Sequence, residues 1–205
     1  MYRKYSDENK VWAYNLFIRQ DFVATVILDN DDFLIFDWGE SSGSGILAAR
    51  YILDKQKGQL TIYGDSGDCT ACWYGKVTAE DMEAYVNSIG YFIEKMHAST
   101  DKFSYAVNDI KADFECCKKL LLEDSDDETD AEQFEEDMQQ VYDWLIDNQH
   151  EAAVFDEKIT DILDKYCDCW WESGFTECGK RVAKRVYLWS VGYQMAIAQL
   201  KEKKC

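Results

Sequence analysis

Apolar positions in the first seventy-five residues come in short β-branched and aromatic runs, the pattern of strands rather than helices. Residues 21–28 read DFVATVIL and residues 33–38 read FLIFDW. Asn30-Asp31 lies between them, which predicts a hairpin. Residues 11–18 alternate imperfectly and fit either a further strand or a short helix. A Gly/Ser loop at 41–45 leads into residues 47–53. The turn Lys55-Gln56-Lys57-Gly58 follows, then runs at 59–63 and 69–74. Strands of this length at such intervals predict an antiparallel meander.

The period changes at Thr78. Met82, Tyr85, Val86, Ile89, Ile93 and Met96 fall at helical spacing, and Thr78-x-x-Asp81 resembles a capping box. A second stripe is Phe103, Val107, Ile110, Phe114, Cys117 and Leu121. The third is Phe134, Met138, Val141 and Leu145, and the fourth Phe155, Ile159, Ile162, Leu163 and Tyr166. The last is Val182, Val186, Trp189, Tyr193, Ile197 and Leu200. Each stripe is one face of an amphipathic helix that needs a partner surface. The expected class is α+β: an N-terminal antiparallel β-meander over residues 1–76, then a layer or bundle of about five amphipathic helices over residues 77–205. The two regions could form one compact domain.

Composition supports a folded chain. Of 205 residues 47% are apolar and 15% aromatic, enough to offset chain entropy. No apolar run approaches the ~18 residues of a membrane span, and the first eight residues turn acidic where a signal peptide turns apolar. The expectation is a cytoplasmic protein whose eight cysteines are reduced and pack mainly as small apolar groups. Proline is absent altogether, which argues against a stiff Pro-rich linker.

Charge changes the picture most. Forty acidic residues face 22 basic ones, a formal −18. Such a field repels nucleic acid and anionic membrane and attracts basic surfaces. The acids concentrate in EDSDDETDAEQFEED: Glu123, Asp124, Asp126, Asp127, Glu128, Asp130, Glu132, Glu135, Glu136 and Asp137. Asp143 and Asp147 continue the series along the third stripe. Residues 123–133 are expected as an exposed acidic loop. Two readings stand. The segment is a solvated connection whose acids favour the next helix's amino end, or its carboxylates stand in for phosphates in a basic groove of another protein. Lys180, Arg181, Lys184 and Arg185 make a basic turn, expected to pair with the chain's own acids.

Other chemistry is sparse. Gly64-Asp65-Ser66-Gly67-Asp68-Cys69 fits a tight turn needing positive φ, with aspartates bonding nearby amides; two carboxylates fall short of calcium's six to eight oxygens. Cys69-x-x-Cys72 and Cys167-x-Cys169 are weak candidates for a zinc site. The first pair sits in a predicted strand, where positions three apart face opposite ways. His97 and His150 are both at predicted helix ends. No Walker loop, nucleophile elbow, dinucleotide fingerprint or His-Glu-x-x-His occurs. No catalytic residue and no cofactor is expected.

Two stretches resemble a group of uncharacterised proteins carried by phages and prophages of Gram-positive bacteria. One is Leu60-Thr61-Ile62-Tyr63-Gly64-Asp65-Ser66-Gly67-Asp68-Cys69 through Trp73-Tyr74. The other is Gly179-Lys180-Arg181-Val182 through Arg185-Val186-Tyr187-Leu188-Trp189 to Gln194-Met195-Ala196. They cover about a quarter of the chain, and the similar proteins often have a proline at Ala183-Lys184. The resemblance implies a mobile-element origin and no activity, but small acidic phage proteins without catalytic motifs are frequently inhibitors of bacterial defence. The expectation is therefore an inhibitor of a host nuclease or CRISPR effector, acting without direct nucleic-acid contact. The alternatives are a phage regulatory or structural module binding a protein through aromatic surface near Trp170-Trp171, or a metal-dependent enzyme using Asp65, Asp68 and cysteines.

Overall fold

The alternation in the first half of the chain builds one sheet with one buried face. The computed structural model describes residues 7–43, 47–124, 130–148 and 155–203. After helix α1 (Asp7–Arg19) come β1 (Phe22–Asp29), β2 (Phe33–Glu40), β3 (Ala49–Asp54), β4 (Gln59–Gly64) and β5 (Cys69–Cys72). Helices α2 (Ala79–Asn87) and α3 (Ile89–Lys95) precede β6 (Met96–Ser99). The six strands are ordered β1-β2-β3-β4-β5-β6, every neighbour antiparallel. Leu34, Phe36, Trp38, Tyr51, Leu53, Leu60, Ile62 and Ala71 alternate onto the buried face. On the opposite face Asp37 and Arg50 sit directly across from each other, and the guanidinium Nε and Nη2 donate to the two carboxylate oxygens at 2.6 and 2.8 Å. An antiparallel sheet covered on one side reads in just this way.

The β1–β2 hairpin turns where Asn30-Asp31 predicted it. The Asn30 side-chain oxygen accepts from the Asp32 and Phe33 amides at 3.0 and 2.8 Å. In the Gly64–Cys69 connection Gly67 has φ +90°, and the Asp65 carboxylate accepts the Ala48 amide at 2.9 Å. Both follow the turn chemistry expected of those residues.

The carboxyl-terminal helix α7 (Lys184–Glu202) covers the sheet and is buried on more than one side. Val186, Trp189, Tyr193 and Ile197 are buried as the stripe requires, but so are Tyr187, Leu188, Val191 and Ala196. A helix apolar around most of its circumference is an interior helix, and α7 packs on β1, β2, α1, α2 and α3. Tyr51 donates its hydroxyl to the Trp189 carbonyl at 3.0 Å. At Gly192 an added Cβ would lie 2.5 Å from that hydroxyl and 3.1 Å from the Trp38 ring, so the glycine sets how closely helix and sheet approach. Gln199 of α7 and Lys203 just beyond its end also occupy the start of the edge strand β1. Gln199 bonds the Ala24 amide and the Phe22 carbonyl, and Lys203 donates to the Ala24 carbonyl. Bonds of this kind take up edge groups of Phe22 and Ala24 that would otherwise be open to another strand.

Residues 11–18 take the helical one of the two forms open to them. Other expectations are corrected. The stripe from Met82 to Met96 is two short helices broken at Ser88, and Met96 opens a strand. The second stripe begins in β7 (Phe103–Tyr105) before helix α4 (Val107–Asp124). The chain divides into two compact units. Among the described residues one unit spans 7–102 and 182–203, the other 103–181. The physical reason is the sheet's open apolar face, which claims α2, α3 and α7 as its cover.

Candidate acidic binding surface

The second unit is helical. β7 pairs with β8 (Lys180–Val182). The remaining elements are α4, α5 (Ala131–Asp147), α6 (Glu157–Asp164) and two short 3-10 turns at Trp170–Ser173 and Phe175–Glu177. Its core joins the stripes read from the sequence. Ile110, Phe114, Cys117 and Leu121 of α4 meet Phe134, Met138, Val141 and Leu145 of α5 and Ile159, Ile162 and Leu163 of α6, with Phe155, Phe175 and Cys178. Burying a side chain of this size contributes about 1.5–3 kcal/mol, which fixes which faces turn to solvent.

The charge is as uneven along the chain as the apolar stripes. Residues 103–181 hold 23 acids and 7 bases, a net −16; the other 126 residues hold 17 and 15, a net −2. Nearly the whole imbalance of the chain belongs to one unit.

Within it the expected residues divide into two groups, those that hold the fold and those left facing water. Asp130 caps α5, accepting the Glu132 and Gln133 amides at 3.0 and 3.4 Å. Asp137 is corrected outright: it is 2% exposed rather than part of a surface. Its carboxylate accepts the Tyr166 hydroxyl at 2.8 Å, the Lys165 ammonium at 3.1 Å and the Gln133 amide at 3.2 Å. Burial alone would raise its pKa, but these three donors outweigh it and hold Asp137 below the usual carboxylate range. Burial, and then the same carboxylate, push the Tyr166 phenol up.

The other residues stay outside. Glu132, Glu136, Asp143 and Asp147 are exposed on α5. At ~100° per residue they fall within an arc of about 60°, opposite Phe134, Met138, Val141 and Leu145, and span about 22 Å of helix at ~1.5 Å per residue. Glu135 is exposed beside them and pairs with Lys118 of α4. Glu123 is exposed near the end of α4, 3.6 Å from Lys119. Asp124 is the last residue of α4, so the helix runs into the segment expected as a loop. Asp126, Asp127 and Glu128 lie outside the described residues.

The basic turn resolves as internal pairing at two positions. Lys180 bonds Glu177 at 2.7 Å, and Arg181 bonds Asp109 and Asp113 at 2.9 and 2.8 Å. Trp170 is partly buried, donating its indole N–H to Asp164 at 2.6 Å, whereas Trp171 is 57% exposed.

The metal candidates separate. Cys69 is buried and Cys72 is half-buried on the alternate position of β5, so the strand turns them to opposite faces. Burial, aided by Asp68, pushes the Cys69 thiol well up. Cys167 and Cys169 come together, their sulfurs 2.9 Å apart, a contact that their spacing in a turn could have signalled. Among the described residues no group of three or more His, Cys, Asp and Glu is placed to hold a metal ion. His97 lies in β6, its Nε2 2.8 Å from the Tyr74 hydroxyl; His150 lies outside the described residues. No described helix is long and apolar enough to cross a membrane. Comparison with protein-family models, curated proteins and solved structures finds no match.

Proposed function

We propose that the helical unit is a binding module that occupies a basic, nucleic-acid-binding groove of another protein, and that the chain is a phage-type inhibitor of a host defence nuclease such as a CRISPR effector. The observation that carries this reading is the segregation of charge: −16 of −18 sits in residues 103–181. Evenly spread acids would serve solubility as well. Concentrating them builds a field that steers a cationic partner to one part of the molecule. The stripe of Glu132, Glu136, Asp143 and Asp147 supports it further. Those four are free of the capping and core duties that explain Asp130 and Asp137, and like charges four apart on a helix cost about 0.2–0.5 kcal/mol per pair.

In this reading the carboxylates meet Lys and Arg side chains arranged for phosphates and form charge-assisted bonds with them. The groove is then closed to polynucleotide. The test is capture of the target from a bacterial host with tagged wild-type protein, followed by binding and nuclease assays on the purified pair. Wild type should bind with steep salt dependence. The quadruple variant Glu132→Gln, Glu136→Gln, Asp143→Asn, Asp147→Asn should lose at least tenfold in affinity. Undiminished inhibition by a folded quadruple variant removes the proposal. An aromatic docking reading at Trp170-Trp171 rests on exposed Trp171 and predicts the reverse sensitivity.

A further inference from the structure

We propose that Cys167 and Cys169 form a redox modification site that reacts with low-molecular-weight disulfides, and that the surrounding acids select uncharged or cationic disulfides over anionic ones. The inference does not depend on what the helical unit binds.

Geometry carries it. The two sulfurs stand 2.9 Å apart, and a disulfide needs about 2.05 Å, so closure asks for less than ~1 Å of approach. Two residues apart, the cysteines cannot be separated by more than about 7 Å even in extended chain, and here the chain turns. The Cys167 amide donates to the Leu163 carbonyl at 3.2 Å, and the Trp170 amide to the Cys167 carbonyl at 3.2 Å. The fold thus holds the pair at bonding range before any oxidation. The Cys169 amide also donates to the Cys167 sulfur at 3.3 Å, a donor for the charge that sulfur carries when it attacks or leaves as thiolate.

Access separates this pair from the other close one. Cys117 and Cys178 have sulfurs 3.7 Å apart, but both are buried in the core of the unit, where a small disulfide has no route. Cys167 and Cys169 are half-buried with Asp168 exposed between them.

The exchange balances without a metal or further oxidant. The Cys167 thiolate attacks one sulfur of the small disulfide, forming a mixed disulfide and releasing one small thiolate. The Cys169 thiolate then attacks the Cys167 sulfur, forming the protein disulfide and releasing the second. The protein loses two electrons and two protons, and the small disulfide becomes two thiols. Cys169 sits beside the resulting bond as a built-in resolving thiol. Selection follows from Asp168 between the cysteines, from Asp164 and Glu172 within five residues of both, and from the −16 of residues 103–181. An anionic disulfide meets repulsion that a cationic one does not.

The result is transmitted locally. The Cys169 carbonyl accepts the Glu172 amide at 2.9 Å, so both cysteines anchor the turn bearing Trp170 and exposed Trp171. Closing the ring fixes that turn.

The experiment uses the whole reduced protein, treated separately with cystamine and with oxidised glutathione at low and high salt. Thiols are blocked, and the product is mapped by peptide mass spectrometry with fragmentation. The expected product lacks two hydrogens, has a crosslink confined to Cys167 and Cys169, and reverts with dithiothreitol. Cystamine should act about tenfold faster than oxidised glutathione at low salt, and the gap should narrow as salt screens the field. Cys169→Ser should stop at a mixed disulfide on Cys167. The wild-type map decides the matter even if that variant misfolds. A crosslink to Cys178, or reaction at exposed Cys116 with the pair still reduced, overturns the site. Equal rates for the two disulfides at low salt overturn the selection.

Discussion

Replacing Asp147 with lysine should stabilise the helical unit while weakening its binding to a cationic partner. Asp147 is the last residue of α5, exposed, in a final turn that contains no base. The carboxyl end of a helix carries partial negative charge, so an acid there costs about 0.3–1 kcal/mol and a base returns a similar amount. Asp143 lies four residues earlier, and a like-charge pair at about 0.2–0.5 kcal/mol becomes an attractive one. Together these predict a gain of about 1–3 kcal/mol. For a unit of about 80 residues that corresponds to roughly 4–8 °C in Tm per kcal/mol. Denaturant unfolding followed by circular dichroism gives the total, and hydrogen exchange of α5 amides assigns it to the unit. Raising salt should shrink the difference. Were Asp147→Lys to destabilise the protein by more than about 0.5 kcal/mol, beyond the usual range of surface changes, the acids would be serving the fold and the argument from their arrangement would collapse.

Further predictions concern the interior and the alternative surface. Asp137→Asn should cost about 1–3 kcal/mol by weakening the bonds to Lys165 and Tyr166. Because the folded pKa of Asp137 is depressed, wild type should hold this stabilisation above the unfolded carboxylate pKa of about 3.9 and lose it as pH falls through the lower folded value; Asp137→Asn should flatten that acid limb of the stability curve. Gly192→Ala should destabilise the sheet unit by about 1–3 kcal/mol, since its Cβ meets Tyr51 and Trp38, measurable as a fall in Tm. Trp171→Ala should leave stability within about 0.5 kcal/mol and leave salt-sensitive partner binding intact; loss of binding there with the acidic stripe silent would favour aromatic docking.

Much of this protein was legible from its chain. Strands β1 to β5, the Asn30 turn, the capping box at Thr78 and Asp81 and the core stripes of α4, α5 and α6 follow from side-chain period and turn chemistry, which act over a few residues. Patterning was ambiguous where a segment was short or apolar on several sides. Residues 11–18 became α1, Met96 opened β6, and α7 took burial around most of its surface, because each packs against elements far away in the chain. The acidic run was visible too, but its members looked alike.

Sequence alone fixed the sign and size of the charge, the α+β class and the faces that would be buried, since these depend on composition and local period. Only tertiary structure decided that α2, α3 and α7 belong with the sheet, that Asp137 is an interior anchor while Asp143 and Asp147 face water, and that two cysteines stand at bonding range. Those outcomes depend on which distant side chains share one environment, and burial, pairing and field strength are properties of that environment rather than of any residue in isolation.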